Sequence, residues 1–512
     1  MSTPTRHIVR PAGAGHETLY VLVLCLLILG CAAGVISLHR DTRETHSIAI
    51  YQLDARRDLS AAEQGIYADL RVTLDEIRLL ASEQQTPITP QQLGDEGFAP
   101  FATDASSVSR GDHAWQMIKQ SYLGLSRTPG VAGSFLMRVD SGEQPDIWIN
   151  RNASLAAVSD LSDRALIDSG WKQVVAQFDA GVTCDPPAPA LKLRTPLKED
   201  RSPMPISFKR RPLLRVLLTG LMIALLAPSS FAEPAKRLRI GITLHPYYSY
   251  VSNIVGDKAD VVPLIPAGFN PHAYEPRAED IKRIGSLDVI VLNGVGHDDF
   301  ADRMIAASET PNIKTIEANA DVPLLAATGV AARGAGKVVN PHTFLSISAS
   351  IAQVNNIARE LGKLDPDNAK TYTANARAYG KRLRQMRADA LAKLIKAPNA
   401  DLRVATVHAA YDYLLREFGL EVTAVVEPAH GIEPSPSQLK KTIDQLRELD
   451  VKVIFSEMDF PSTYVETIQR ESGVKLYPLS HISYGEYTAD KYEKEMAGNL
   501  DTVVRAIQES GA

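Results

Sequence analysis

Cysteine is the residue this chain most lacks. There are three in 512 residues: Cys25 and Cys31 share one apolar run, Cys184 stands alone, and none follows. So few exclude a disulfide framework, and they oblige any metal site in the second half to use His, Asp or Glu. A basic surplus is missing as well: 55 Lys+Arg face 60 Asp+Glu, a formal net charge of -5. Counterion-driven nucleic-acid binding needs a basic patch, so no nucleic-acid partner is expected. Apolar runs long enough to matter in a membrane number only two, which excludes a polytopic membrane protein. What remains, 45% hydrophobic and 22% charged residues, is globular composition rather than disordered or collagen-like. The length accommodates about three or four domain-sized units.

The first apolar run, 19–38, is long enough at about 1.5 Å per residue to cross a hydrocarbon core. Residues 1–40 therefore read as an N-terminal transmembrane helix anchored in the inner membrane, which ties the chain to the membrane if it stays uncut. The second run follows Met204. It has a basic start at Lys209-Arg210-Arg211, an apolar core over 213–227 and a small-residue end at Ser230-Phe231-Ala232, the three regions of a secretory signal peptide in order. Its core of about 15 residues is short for a span. Residues 204–232 are thus a signal-peptide-like or second membrane segment, or mark two reading frames joined at Met204. Under each reading the part after Ala232 is periplasmic or extracytoplasmic.

Between the runs, 41–185 reads as a small α+β domain. Helical periodicity covers 44–82, with Ile66, Leu70, Leu74, Ile77 and Leu80 on one stripe; strands follow at 133–139 and 146–149, and a helix near 161–179. Its His113 joins no recognisable constellation, and the segment's role is not legible. Pro186, Pro187, Pro189 and Pro196 make 186–203 a linker.

From 233 to 512 strand and helix alternate, the signature of α/β architecture with parallel sheets. One set has strands at 238–244, 261–265 and 287–293 with helices at 248–255 and 277–284. A second has strands at 402–407, 422–426, 451–455 and 474–477 with helices at 411–418, 437–446 and 463–470. Two lobes result, an N-lobe over about 237–345 and a C-lobe over about 400–512. A single long rigid helix over about 365–396 joins them, with Asp365 as its cap and Pro366 in its first turn.

Seven of the twelve histidines fall in this part: His245, His272, His297, His342, His408, His430 and His481. Two share a tripeptide, Asn270-Pro271-His272 and Asn340-Pro341-His342, in which proline stiffens the loop that carries the imidazole. His272, His408 and His481 each follow a predicted strand, and open α/β sheets bind ligands beyond the carboxyl ends of their strands. Three or four imidazoles converging on one crevice make a nitrogen site suited to tetrahedral Zn²⁺.

Further motifs accompany them: Pro263-Leu264-Ile265-Pro266 before the first tripeptide and Ala273-Tyr274-Glu275-Pro276 with Asp280 after it; Leu292-Asn293-Gly294; Asp365-Pro366 with Tyr372 and Asn375; Thr406-Val407-His408-Ala409-Ala410-Tyr411-Asp412-Tyr413 before Phe418-Gly419-Leu420; Glu433-Pro434-Ser435; and Phe455-Ser456-Glu457. Over about 237–512 the chain resembles the zinc- and manganese-type solute-binding proteins of metal ABC transporters. That resemblance implies two lobes on a rigid helix, a divalent ion held between them as cargo, and delivery to a membrane permease rather than catalysis. It implies His272, His342 and His408 as ligands and a fourth near His481, with Glu457 and Asp459 as alternatives. A histidine in the third place resembles the zinc members, so Zn²⁺ is expected, with Mn²⁺ or iron as the alternative cargo. The stretch 326–339 lacks the histidine-rich loop of many zinc members. His245, His297 and His430, near cleft-forming loops, are secondary candidates. Two rival functions are a metal-responsive adhesin or sensor and a zinc hydrolase, although no HExxH spacing supports the latter.

Overall fold

The computed structural model describes residues 49–55, 58–84, 87–139, 145–152, 160–175, 237–269, 271, 274–325, 339–394, 402–427, 434–458 and 463–510. The expected anchor at 1–40, the linker at 186–203 and the segment at 204–232 lie outside these. Among the described residues no helix is long and apolar enough to cross a membrane.

The first part runs β1 (Gln52–Asp54), α1 (Ala61–Gln84), α2 (Pro90–Asp95), α3 (Ala105–Ser109), β2 (Ala114–Ile118), β3 (Ser121–Leu125), β4 (Ser134–Arg138), β5 (Asp146–Asn150), α4 (Asp163–Asp168) and β6 (Lys172–Val175). Its six strands form one sheet in the order β1-β6-β5-β4-β3-β2. The stripe Ile66, Leu70, Leu74 and Ile77 of α1 is buried in one core with Phe135, Ile147 and Ile149, as a helix with a 3.6-residue apolar period requires. Two expectations fail here. Periodicity over 44–82 becomes helix only from Ala61, because Gln52–Asp54 pairs with β6. The helix expected near 161–179 stops at Asp168: Gly170 adopts φ +82, a conformation glycine reaches without strain, and Lys172–Val175 turns back to pair with β5.

The second part opens with β7 (Leu238–Ile242), α5 (His245–Val255), β8 (Ala259–Pro263), α6 (Ala278–Ile284), β9 (Val289–Leu292), α7 (Asp299–Ala307) and β10 (Lys314–Glu317). These four strands make an all-parallel sheet, β10-β9-β7-β8. Every residue of β9, VIVL, is buried, as expected of a parallel strand covered on both faces. Then come α8 (Ile347–Leu364) and α9 (Ala369–Ala392), followed by β11 (Val404–Thr406), α10 (Asp412–Glu417), β12 (Val422–Val425), α11 (Pro436–Glu448), β13 (Val453–Glu457), α12 (Thr463–Ser472), β14 (Lys475–Leu479) and α13 (Lys491–Ser510). The second parallel sheet is ordered β12-β11-β13-β14.

The strut differs from the sequence expectation. It is a pair of helices, not one: α8, absent from the sequence reading, packs along α9. α9 has 24 residues, about 36 Å at 1.5 Å per residue. Its N-cap is Asn368, not Asp365. The Asp365 carboxylate instead accepts from the Tyr372 hydroxyl at 2.6 Å and from Asn368 Nδ2 at 2.9 Å, so it ties the Pro366 turn to the helix through side chains. Tyr372, Ala376, Tyr379 and Leu383 of α9 share one core with Ile351, Val354, Ile357 and Leu361 of α8 and with residues from both sheets.

Candidate metal centre

Three loops at the carboxyl ends of parallel strands bring histidines together. His297 follows β9, His408 follows β11 and His481 follows β14, while His342 opens a short 3₁₀ turn, Thr343–Leu345, just before α8. His342 and His408 face each other with Nε2 atoms 3.2 Å apart. Ring centroids lie 5.1 Å apart for His342 and His481 and 6.0 Å for His408 and His481. Donor atoms of His408, Glu457 and His481 fall within 4.8 Å of one another, and so do those of His297, His342 and His481. Two donor sets therefore overlap at His481. Nitrogens bound tetrahedrally at about 2.05 Å from one ion stand about 3.3 Å apart, so the His342–His408 pair already has that spacing.

Each ring is held from behind. Asn340 Oδ1 lies 2.9 Å from His342 Nδ1 and accepts from the His342 backbone N–H, which leaves Nε2 turned towards His408. Asn340 Nδ2 in turn donates to the Ala409 carbonyl, and the Tyr413 hydroxyl donates to the Asn340 carbonyl. The Asn-Pro-His loop and the His408 loop are thus bolted to each other. His481 Nδ1 sits 2.9 Å from Ser483 Oγ. Orienting bonds of this kind fix the ring and tautomer of a metal-binding histidine. Phe344 packs against His297, His342 and His481, walling one side with apolar surface. His342, His481 and Glu457 are buried at 3%, 1% and 5% exposure.

The neighbouring Asp298 carboxyl is pushed up to about 7 by burial, against the opposing hydrogen bonds from the Asn293 N–H and the Thr243 hydroxyl. Its hydrogen bonds shape the loop that carries His297, which adopts φ 77.

Of the residues expected from the sequence, His342, His408, His481 and Glu457 are brought together. His272 and Asp459 lie outside the described residues, as does His430. His245 is not in the cluster. It is buried with Nε2 2.8 Å from the Gly485 carbonyl and stacks on Tyr487. His297, only a secondary candidate, stands beside His342 and His481. Its signal in the sequence was its place after a strand, the same signal that marked His408 and His481.

Comparison with known proteins places the chain in a family. The family model described as zinc-uptake complex component A, periplasmic, matches residues 240–506, just over half of the chain, and the chain belongs to that family. A second model, a family of unknown function, matches 53–179. The metal ABC transporter substrate-binding lipoprotein SsaB of Streptococcus sanguinis is 26% identical over an alignment of 285 residues that covers 54% of this chain and 91% of that protein. The manganese-binding lipoprotein MntA of Halalkalibacterium halodurans is 25% identical, covering 54% of this chain and 91% of that one. Among solved structures, the SBP FpvC of Pseudomonas aeruginosa in complex with Mn²⁺ is 88% identical with TM-score 0.53, covering 54% of this chain and 100% of that chain. The same protein with Ni²⁺ is 84% identical with TM-score 0.51 over 54% of this chain and 99% of that one.

Proposed function

We propose that this member of the zinc-uptake component A family captures a divalent transition-metal ion between its two parallel sheets, outside the inner membrane, and hands it to the permease of a metal ABC transporter. One observation carries the reading: the loops after β11 and β14, the end of β13 and the turn before α8 bring the donor atoms of His408, His481, Glu457 and His342 into one buried cluster. His272, which shares the Asn-Pro-His tripeptide with His342, is the further ligand that the family resemblance implies, and His297 stands as an additional donor. Relatives named as substrate-binding or manganese-binding lipoproteins and structures of a relative with Mn²⁺ and Ni²⁺ support capture over turnover.

A donor set of imidazoles with one carboxylate is borderline in softness. The ordinary affinity order of divalent ions then puts Ni²⁺ and Zn²⁺ above Mn²⁺, and Zn²⁺ is the expected cargo. Calorimetry on the full chain is the test. His342→Ala, His408→Ala and His481→Ala are each expected to weaken Zn²⁺ and Ni²⁺ by more than about 100-fold, and Asn340→Ala to weaken them less, in line with outer-shell losses of about 10–100-fold. Unchanged affinity in all three histidine variants would overturn the site. Binding should also weaken as pH is lowered, because neutral imidazole is the ligand and protons compete with the ion for it.

A further inference from the structure

Helix α1 is buried on two faces. One carries Ile66, Leu70, Leu74 and Ile77 into its own sheet; the other, at 65, 69, 72 and 76, meets the helices behind the metal cleft. That second face is mixed: Val72 packs on the core of the second part, and Asp69 and Glu76 carry charge into the same contact. Asp69 pairs with Arg110 at 2.9 Å and lies 3.6 Å from Arg387 on α9, and Ser348 on α8 donates to it at 3.1 Å. Glu76 accepts from Asn355 at 2.9 Å. Arg71 donates to the Asp321 carbonyl at 2.8 Å, and Arg416 on α10 donates to Gln64. Asp69 and Arg387 are buried, with side chains 4% and 8% exposed; each has an ion partner in its own part, Arg110 and Glu417 respectively, and the Asp69–Arg387 pair adds a second partner across the seat. Breaking one half of such a buried pair is strongly unfavourable, whereas a seat built from charges gains little over an apolar one. A cavity of about 80 Å³, lined by Tyr67, Val72, Arg110, Leu324, Tyr413 and Arg416, remains within this contact. Charge pairs beside an unfilled, largely apolar space are the make-up of a contact that can open, unlike a close-packed core.

The far side of the seat is the scaffold of the metal cleft. Arg387 lies 3.8 Å from Glu417, and the other Glu417 oxygen accepts from the Ser346 hydroxyl at 2.6 Å and the Ser348 N–H at 2.8 Å. Ser346 caps α8 immediately after the turn that begins at His342. Glu417 and Tyr413 sit on α10, which starts four residues after His408, and Tyr413 holds Asn340. The side chains that receive α1 therefore also fix the two loops whose imidazoles face each other.

We propose that the seat of residues 61–110 on α8, α9 and α10 is a docking contact coupled to the metal cleft: docking keeps Glu417 on Ser346 and Ser348 and so holds His342 and His408 in binding geometry, and an ion in the cleft favours the docked state in return. The coupling rests on the metal-binding reading of that cleft. It is reciprocal by thermodynamic necessity.

The test uses the full chain and Mn²⁺ alone. Asp69→Arg sets like charge against Arg110 and Arg387. It is expected to raise amide exchange over 61–84 and to weaken Mn²⁺ about fivefold or more, the lower end of common couplings; in the unaltered chain Mn²⁺ should slow exchange over 61–84. Should Asp69→Arg fail to fold, a protease site placed within 186–203 gives the second measurement: after cleavage the two pieces should co-purify with Mn²⁺ and separate more readily with EDTA. Faster exchange in the variant with unchanged Mn²⁺ affinity overturns the coupling, and so does co-purification indifferent to Mn²⁺. A full chain that binds no Mn²⁺, Ni²⁺ or Zn²⁺ defeats instead the metal reading on which the coupling stands, a distinct result.

Discussion

At the residue scale, histidines of one chemistry take two roles, separated by what stands behind each ring. His342 and His481 have a side-chain oxygen at Nδ1, which leaves Nε2 for the cleft. His245 spends its Nε2 on the Gly485 carbonyl and is locked on Tyr487 with ring centroids 3.9 Å apart. Burial first, and then the nearby Lys491 charge, press its proton affinity down to about 4, although the hydrogen bond to Gly485 opposes the shift. Its unfolded value lies near 6.5, so between pH 6.5 and about 4 the unfolded chain binds the extra proton. Stability therefore falls as pH falls through that window, by about 3 kcal/mol in all at 1.36 kcal/mol per unit. Urea melts of metal-free protein at pH 7.5 and pH 4.5 should show the loss, and His245→Phe, which keeps the stack, should remove most of it. An unaltered acid slope in that variant would refute the assignment.

At the element scale, the strand and helix pattern of 238–479 was largely legible, because parallel strands such as VIVL and VIFSE are short apolar runs bounded by turns. The strut departs from what its local sequence implies. Asp-Pro looks like a helix start by local chemistry, but Tyr372 and Asn368 recruit the Asp365 carboxylate sideways, and the turn stays outside the helix. α8 was missed although Ile347, Ile351, Val354, Ile357 and Leu361 carry the 3.6-residue period. The pair matters because its shared core reaches both sheets. Leu383 of α9 is fully buried in it, so Leu383→Ala should cost about 2–5 kcal/mol, read as a lowered denaturant midpoint. A cost under about 1 kcal/mol would mean the helix pair is not the shared core of the two sheets.

At the scale of the whole molecule, an ion that binds only the folded cleft stabilises it by mass action, by about 2.7 kcal/mol at a free concentration one hundred times Kd. A thermal transition should rise by several degrees with Zn²⁺ or Ni²⁺ and return with EDTA, and His408→Ala should lose the rise. A transition indifferent to metal in the unaltered chain would count against a cleft site.

The sequence by itself determined the chemistry available and where it would gather: no thiols after Cys184, two Asn-Pro-His tripeptides, and histidines placed after strands, since strand period and loop stiffness are local properties. Tertiary structure alone decided which imidazoles meet. It placed His297 beside His342 and sent His245 to Gly485, because convergence depends on how two sheets pack against a helix pair. It alone also revealed the second face of α1. Asp69 and Glu76 lie off the apolar stripe of α1, and the seat formed by Arg387, Ser348 and Asn355, about 280 to 320 residues further along, buries them behind the metal cleft. Pairing over such separations leaves no periodic trace in the chain.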